Sequence, residues 1–224
     1  MVTVEESSTN EDVSLEDITV DLVCLIDCSG SMEGHKLREV QKTLIYMMEL
    51  LSDKDRLSIV VFNSDSAVLN SFRRCTKENK SGKLLRNIKQ FTANGGTNVV
   101  GGLKKAFKLL SKRKTKNQIS SIFLLSDGND NYDLKGLDEL LDTFRDHTGD
   151  YVLNCFGFGD DHNPEMMIKL CQPTGGSFYY INDLDTVDEA FVDCIGLLKS
   201  SLGYKGQVSI ELVPTEVFPE IRIS

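Results

Sequence analysis

The run Leu22-Val-Cys-Leu-Ile26 constrains the fold of this chain more than any other stretch. It is too short for a core helix and lacks the apolar and polar alternation of a strand with one wet face. It therefore reads as a strand covered on both faces, as in a parallel sheet held between helical layers. The run stops abruptly in Asp27-Cys-Ser-Gly-Ser31, with oxygen-bearing side chains at every second position. In open α/β sheets ligands bind beyond the carboxyl ends of the central strands, so Asp27, Ser29 and Ser31 stand where a site is expected.

The rest of the chain alternates in the same sense. Leu37, Val40, Leu44, Met47, Met48 and Leu51 recur at helical spacing and predict a helix over about 36–52. Residues 56–63 and 67–72 read as strands joined by the turn Asn63-Ser-Asp-Ser66, too short for a crossover, so the second strand of the pair runs antiparallel at an edge. Helical patterns follow over 77–91, 99–112, 134–144, 163–171 and 183–201, with Pro164 suited to a first turn. Further strands fall at 119–125, apolar throughout and hence central, at 151–158 and at 176–181. The expectation is an α/β fold: a doubly wound, mostly parallel six-stranded sheet with one antiparallel edge strand and helices on both faces.

Two more polar stations sit at strand ends or in glycine-rich loops: Gly95-Gly-Thr97-Asn98, and Asp127-Gly128 after Ile122-Phe-Leu-Leu-Ser126. With Asp27-x-Ser29-x-Ser31 they match, in order, the metal-ion-dependent adhesion site of the von Willebrand factor A-type domain, the Rossmann-like fold also found in the inserted domains of integrins. The resemblance covers residues 18–203. It implies that Ser29, Ser31 and Thr97 offer hydroxyl oxygens to a cation, with Asp27 and Asp127 acting directly or through water. One position is left for a carboxylate from a partner. A set of two carboxylates and three hydroxyls, without sulfur or imidazole, suits magnesium, which keeps octahedral oxygen coordination and retains waters; manganese or calcium are the alternatives.

Outside that span the chain reads differently. Residues 1–17 are acidic and without sustained periodicity, a flexible tail by composition. Residues 204–224 alternate at period two around Pro214 and form either a short C-terminal β extension or the start of another module. The N-terminus has neither the basic start nor the apolar core of a signal peptide, and no run reaches membrane-spanning length, so an intracellular location is expected, cytoplasmic or nuclear. The cysteines lack paired zinc-site spacing and read as unpaired thiols, with Cys75, in a basic loop, expected at the surface.

The net charge of −9 conceals a segregation, because residues 73–116 carry fourteen Lys or Arg against the single acid Glu78. Lys77, Lys80, Lys83, Arg86 and Lys89 lie on one helix of this segment, and Lys104, Lys105, Lys108 and Lys112 on the next. The resembled fold implies that these helices are neighbours.

The function expected is protein–protein binding through a divalent cation, the partner presenting an exposed Asp or Glu, with no catalysis. An aspartyl nucleophile at Asp27 would need a second acid two positions on, where Ser29 stands. The alternative is an architectural subunit of a larger assembly, docking through the basic helices to an acidic protein or nucleic acid, with a structural or relic metal site. Met32 and Glu33 are either presented to a ligand or simply part of the turn. His35 either borders a partner surface or, the favoured reading, serves a helix start.

Overall fold

Val20–Asp27 (β1) is buried along its whole length and lies in the middle of a six-stranded sheet. Around it come Arg56–Phe62 (β2), Ser66–Arg74 (β3), Ile119–Ser126 (β4), Val152–Phe158 (β5) and Phe178–Ile181 (β6). The order across the sheet is β3-β2-β1-β4-β5-β6. All pairings are parallel except β2 with β3, an antiparallel hairpin at one edge. The fold is the mixed, helix-covered sheet expected from the apolar runs. This computed structural model describes residues 18–128, 139–140, 143, 151–159, 164–181 and 184–200.

Residues alternate across β1 and serve two cores. Leu22, Cys24 and Ile26 face the layer that contains His35–Leu50 (α1), Leu84, Ile88, Phe91, and the helix Leu184–Ser200. Val23 and Leu25 face Val99–Ser111 and Pro164–Cys171. A run apolar at every position was required because both faces of this strand are dry. The helix Val99–Ser111 comes close: a Cβ on Gly102 would lie 3.0 Å from Leu25 Cδ1 and from Phe62. Glycine at that position lets helix and sheet pack without displacing either side chain.

Three expectations are corrected. Cys75 is buried, not exposed, and burial pushes its thiol up to about 12. Its backbone N–H donates to the Asp55 carbonyl at 2.9 Å, which draws the residue inward although its sequence neighbours are basic. The helix expected over 77–91 is broken: a wide turn spans Lys80–Leu84, with Gly82 outside helical geometry, before Leu85–Gln90 resumes. The third correction concerns the basic helices. Leu84, Ile88 and Phe91 pack in one core and Leu103, Ala106 and Phe107 in the other, so the helices lie on opposite faces of the sheet. They are not neighbours, and their lysines do not form one patch.

The remaining free thiols, Cys24, Cys28, Cys155, Cys171 and Cys194, are also buried. No helix among the described residues is long and apolar enough to cross a membrane. The expectations for residues 1–17 and 204–224 lie outside the described residues. So does most of the helix expected over 134–144, of which residues 139, 140 and 143 are helical.

Candidate metal centre

Parallel pairing decides where the polar stations meet. Ile26 of β1 pairs with Leu125 of β4, so the next residues, Asp27 and Ser126, leave the sheet side by side. Ser126 Oγ donates to Asp27 Oδ2 at 2.5 Å, and the Ser29 N–H donates to Asp27 Oδ1 at 2.8 Å. The Gly128 N–H in turn donates to Ser126 Oγ at 2.9 Å, folding the chain after Asp127 back over the strand end. Sequence reading missed Ser126. Its place directly before Asp127 at the end of an apolar run was the available signal.

Asp27 and Asp127 are both fully buried. Burial raises the Asp27 carboxyl to about 6, against the lowering effect of its hydrogen bonds to Ser126 and Ser29, and the nearby Asp127 adds to the rise. Ser29 Oγ and Ser31 Oγ lie 3.0 Å apart, Ser29 buried and Ser31 exposed at the mouth.

The glycine-rich loop is tied to this loop by its backbone. The Gly30 N–H donates to the Gly95 carbonyl at 2.9 Å, and the Asn94 N–H donates to the Cys28 carbonyl at 2.8 Å. The Asn98 N–H donates to the Asn63 carbonyl at 2.8 Å, and the Asn98 side chain caps the helix Val99–Ser111 by accepting from the Gly101 N–H. Thr97 is thereby held buried between two anchored neighbours. Loops from β1, β4 and the segment before that helix thus gather Asp27, Ser29, Ser31 and Asp127, with the Thr97 loop bonded alongside.

A second residue the sequence did not single out is Lys36, at the start of α1, whose Nζ donates to Asp127 Oδ2 at 3.0 Å. Met32 is turned fully inward, which corrects its candidacy as a presented side chain, while Glu33 is exposed. His35 opens α1, with Nε2 at 3.5 Å from Glu39 Oε1 one turn on. Asn129, Asp130 and Asn131, which follow Gly128 in the sequence, lie outside the described residues.

Among the described residues no group of three or more His, Cys, Asp or Glu gathers as a metal centre. The donor set is instead two carboxylates with hydroxyls, oxygen only, which is the chemistry of a hard cation rather than of a thiolate or imidazole metal. The fit rests on that set and on the two buried carboxylates, since buried acids call for positive charge nearby. A cleft of about 300 Å³ opens beside the loop at Cys28, lined also by Val61, Asn63, Asp65, Gln90 and Thr92.

Comparison with known proteins gives a consistent picture. The family model described as von Willebrand factor type A domain matches residues 20–180. The heavy chain 4 of inter alpha-trypsin inhibitor from Mus musculus is 27% identical over 170 residues, covering 73% of this chain and 18% of that protein. The E3 ubiquitin-protein ligase WAVH1 of Arabidopsis thaliana is 34% identical over 122 residues, 49% of this chain and 18% of the ligase. The chain thus spans less than a fifth of either relative. Among solved structures, a von Willebrand factor type A protein from Catenulispora acidiphila superposes with a TM-score of 0.71 at 21% identity, covering 81% of this chain and 43% of that one. Proximal thread matrix protein 1 of the mussel byssus, solved with a zinc-occupied adhesion motif, gives 0.66 at 16% identity, covering 81% and 46%.

Proposed function

The chain belongs to the von Willebrand factor type A domain family, and on that premise we propose that it binds a protein ligand by holding a divalent cation, magnesium first, between its loops and an acidic side chain of the partner. Domains of this family are protein-interaction modules. The observation that carries the finer reading is the pair of buried carboxylates, Asp27 and Asp127, at the end of adjacent central strands. Asp27, Ser29, Ser31, Thr97 and Asp127 would hold the ion, the hydroxyls adding donors without charge. When bound, the ion supplies a hard positive centre for an incoming carboxylate. The chain's own part is to fix the donors: Ser126 and the Ser29 N–H orient Asp27, and the Gly30–Gly95 bond fixes the spacing of two loops.

Calorimetric titration with magnesium or manganese should detect uptake by the wild-type chain and none by Asp127→Ala. A partner captured in magnesium should be released by chelator and not captured by that variant. Capture that survives both changes would sink the reading.

Acidity offers a separate check. A cation is held by the carboxylate and not by the acid, so binding drives off any proton on Asp27. With the Asp27 carboxyl at about 6, lowering the pH from about 7.5 to about 5 leaves roughly a tenth of it ionised. Magnesium affinity is expected to fall about tenfold over that interval. An affinity that is flat across it, measured by the same titration, means that Asp27 either stays ionised throughout or does not hold the ion.

The docking alternative finds no comparable support, because its two basic helices lie on opposite faces of the sheet.

A further inference from the structure

Taking the cation-bridged reading as its basis, we infer that Lys36 is a tethered counter-cation that competes with the divalent ion for Asp127 and so sets how tightly the centre holds metal before a partner arrives. The ammonium lies 3.0 Å from Asp127 Oδ2, and the carboxylate it meets is fully shielded from solvent while Lys36 itself remains 21% exposed.

The donors described at the two acids of the centre differ in kind. Asp27 is gripped by short, fixed donors, the Ser29 backbone and the Ser126 hydroxyl, neither of which carries charge. Asp127 is met by an ammonium on a flexible four-carbon stem, a compact point charge that can swing away. The stem is rooted firmly: Leu37, Val40 and Leu44 bury one face of α1 in the core, so the backbone at Lys36 stays facing the end of β4. The charge can therefore leave Asp127 without the helix moving.

A buried carboxylate left without a positive neighbour is costly, and Lys36 meets that cost from within the chain. It also imposes one, because a divalent ion bound beside Asp127 is repelled by an ammonium a few ångströms away. Loading then requires Lys36 to move toward the exposed mouth, where Ser31 lies. In that position its charge attracts the partner's acidic side chain and is neutralised by it. Metal affinity is held down in the free chain and raised when a carboxylate ligand is present. Binding of the two is thereby coupled, in the sense that each tightens the other.

The test is calorimetric titration of the full chain with magnesium chloride, comparing wild type with Lys36→Met, Lys36→Gln and Lys36→Arg. Removing the charge should tighten magnesium binding by roughly 10- to 100-fold in both the Met and Gln variants, whereas Arg, which keeps it, should stay within about threefold of wild type. The melting temperature without added metal should fall in Lys36→Met, and magnesium should restore it by a larger shift than it gives wild type. Wild-type binding with Met and Gln variants that bind no tighter overturns this inference alone. Absence of magnesium and manganese uptake by wild type and both neutral variants overturns it together with the cation-bridged reading.

Discussion

Asp21→Ala should destabilise the protein by about 3–5 kcal/mol, the cost of leaving a buried charge without its partner. Asp21 is fully buried within β1, at the end of the strand away from Asp27. Its carboxylate accepts from Arg56 Nε at 2.6 Å and Nη2 at 2.6 Å, from Arg113 Nη1 at 2.6 Å and from the Asn117 N–H at 3.2 Å. Arg56 is its register partner on β2, and Arg113 follows the helix Val99–Ser111 with a side chain only 2% exposed. Both guanidiniums sit over the Phe72 ring, at 5.5 and 5.7 Å from its centroid. One carboxylate thus joins two strands, a helix end and the loop entering β4.

Alanine at 21 takes from Arg113 its counter-charge, and Arg113 Nη2 is already buried without a hydrogen-bond partner among the described residues. The loss corresponds to a melting temperature lower by roughly 6–20 °C for a chain of this size. Asp21→Leu with Arg113→Met should be closer to wild type than Asp21→Ala is, because no lone charge remains inside. A melting temperature for Asp21→Ala within about 2 °C of wild type means that the two arginines find other partners.

Asp21 also shows where the sequence stops speaking. The helix-covered, mostly parallel sheet followed from runs apolar at every position, and such runs name their own environment, since only a doubly covered strand tolerates them. The stations of the candidate metal centre stood out in the sequence for a related reason: Asp27 and Asp127 end two of these runs, and strand ends at the carboxyl side are where ligands bind. Asp21 carries no comparable mark. It begins a strand as any solvated residue might, and only pairing with Arg56 and a reach to Arg113 distinguish it. Ser126 and Lys36 are alike in this, because their roles exist only once β1, β4 and α1 are side by side.

The misreadings share a cause. Cys75 was judged by charged neighbours, yet a single backbone bond to Asp55 turns it inward. The basic helices were judged by proximity in sequence, whereas successive helices in a doubly wound sheet can cover opposite faces. Met32 was left open between presentation to a ligand and a place in the turn; it fills the core, and loop composition says little about the direction of one side chain.

Asp55→Asn should cost nearly as much as Asp55→Ala, on the order of 3 kcal/mol, even though asparagine has almost the same shape. Asp55 is fully buried and accepts four hydrogen bonds: Oδ1 from the Val20 N–H at 2.8 Å, and Oδ2 from the Ser52 N–H and Oγ at 2.8 Å and from Lys199 Nζ at 2.9 Å. An asparagine oxygen can serve Val20, but its amide then faces three donors, or the reverse if it flips. The carboxylate holds together the start of β1, the end of α1 and the last turn of the helix Leu184–Ser200. Lys199→Met leaves the buried carboxylate with its three uncharged donors but without its cation, so it should cost about 2 kcal/mol, less than the loss of the carboxylate itself. Its signature should be local, namely faster hydrogen exchange in that last turn, with the amides of β1 unchanged. Denaturant unfolding of the three variants separates the contributions. Should Asp55→Asn unfold like wild type, the carboxylate acts through its shape and not its charge, and Lys199 is then a surface contact that leaves the helix end unanchored.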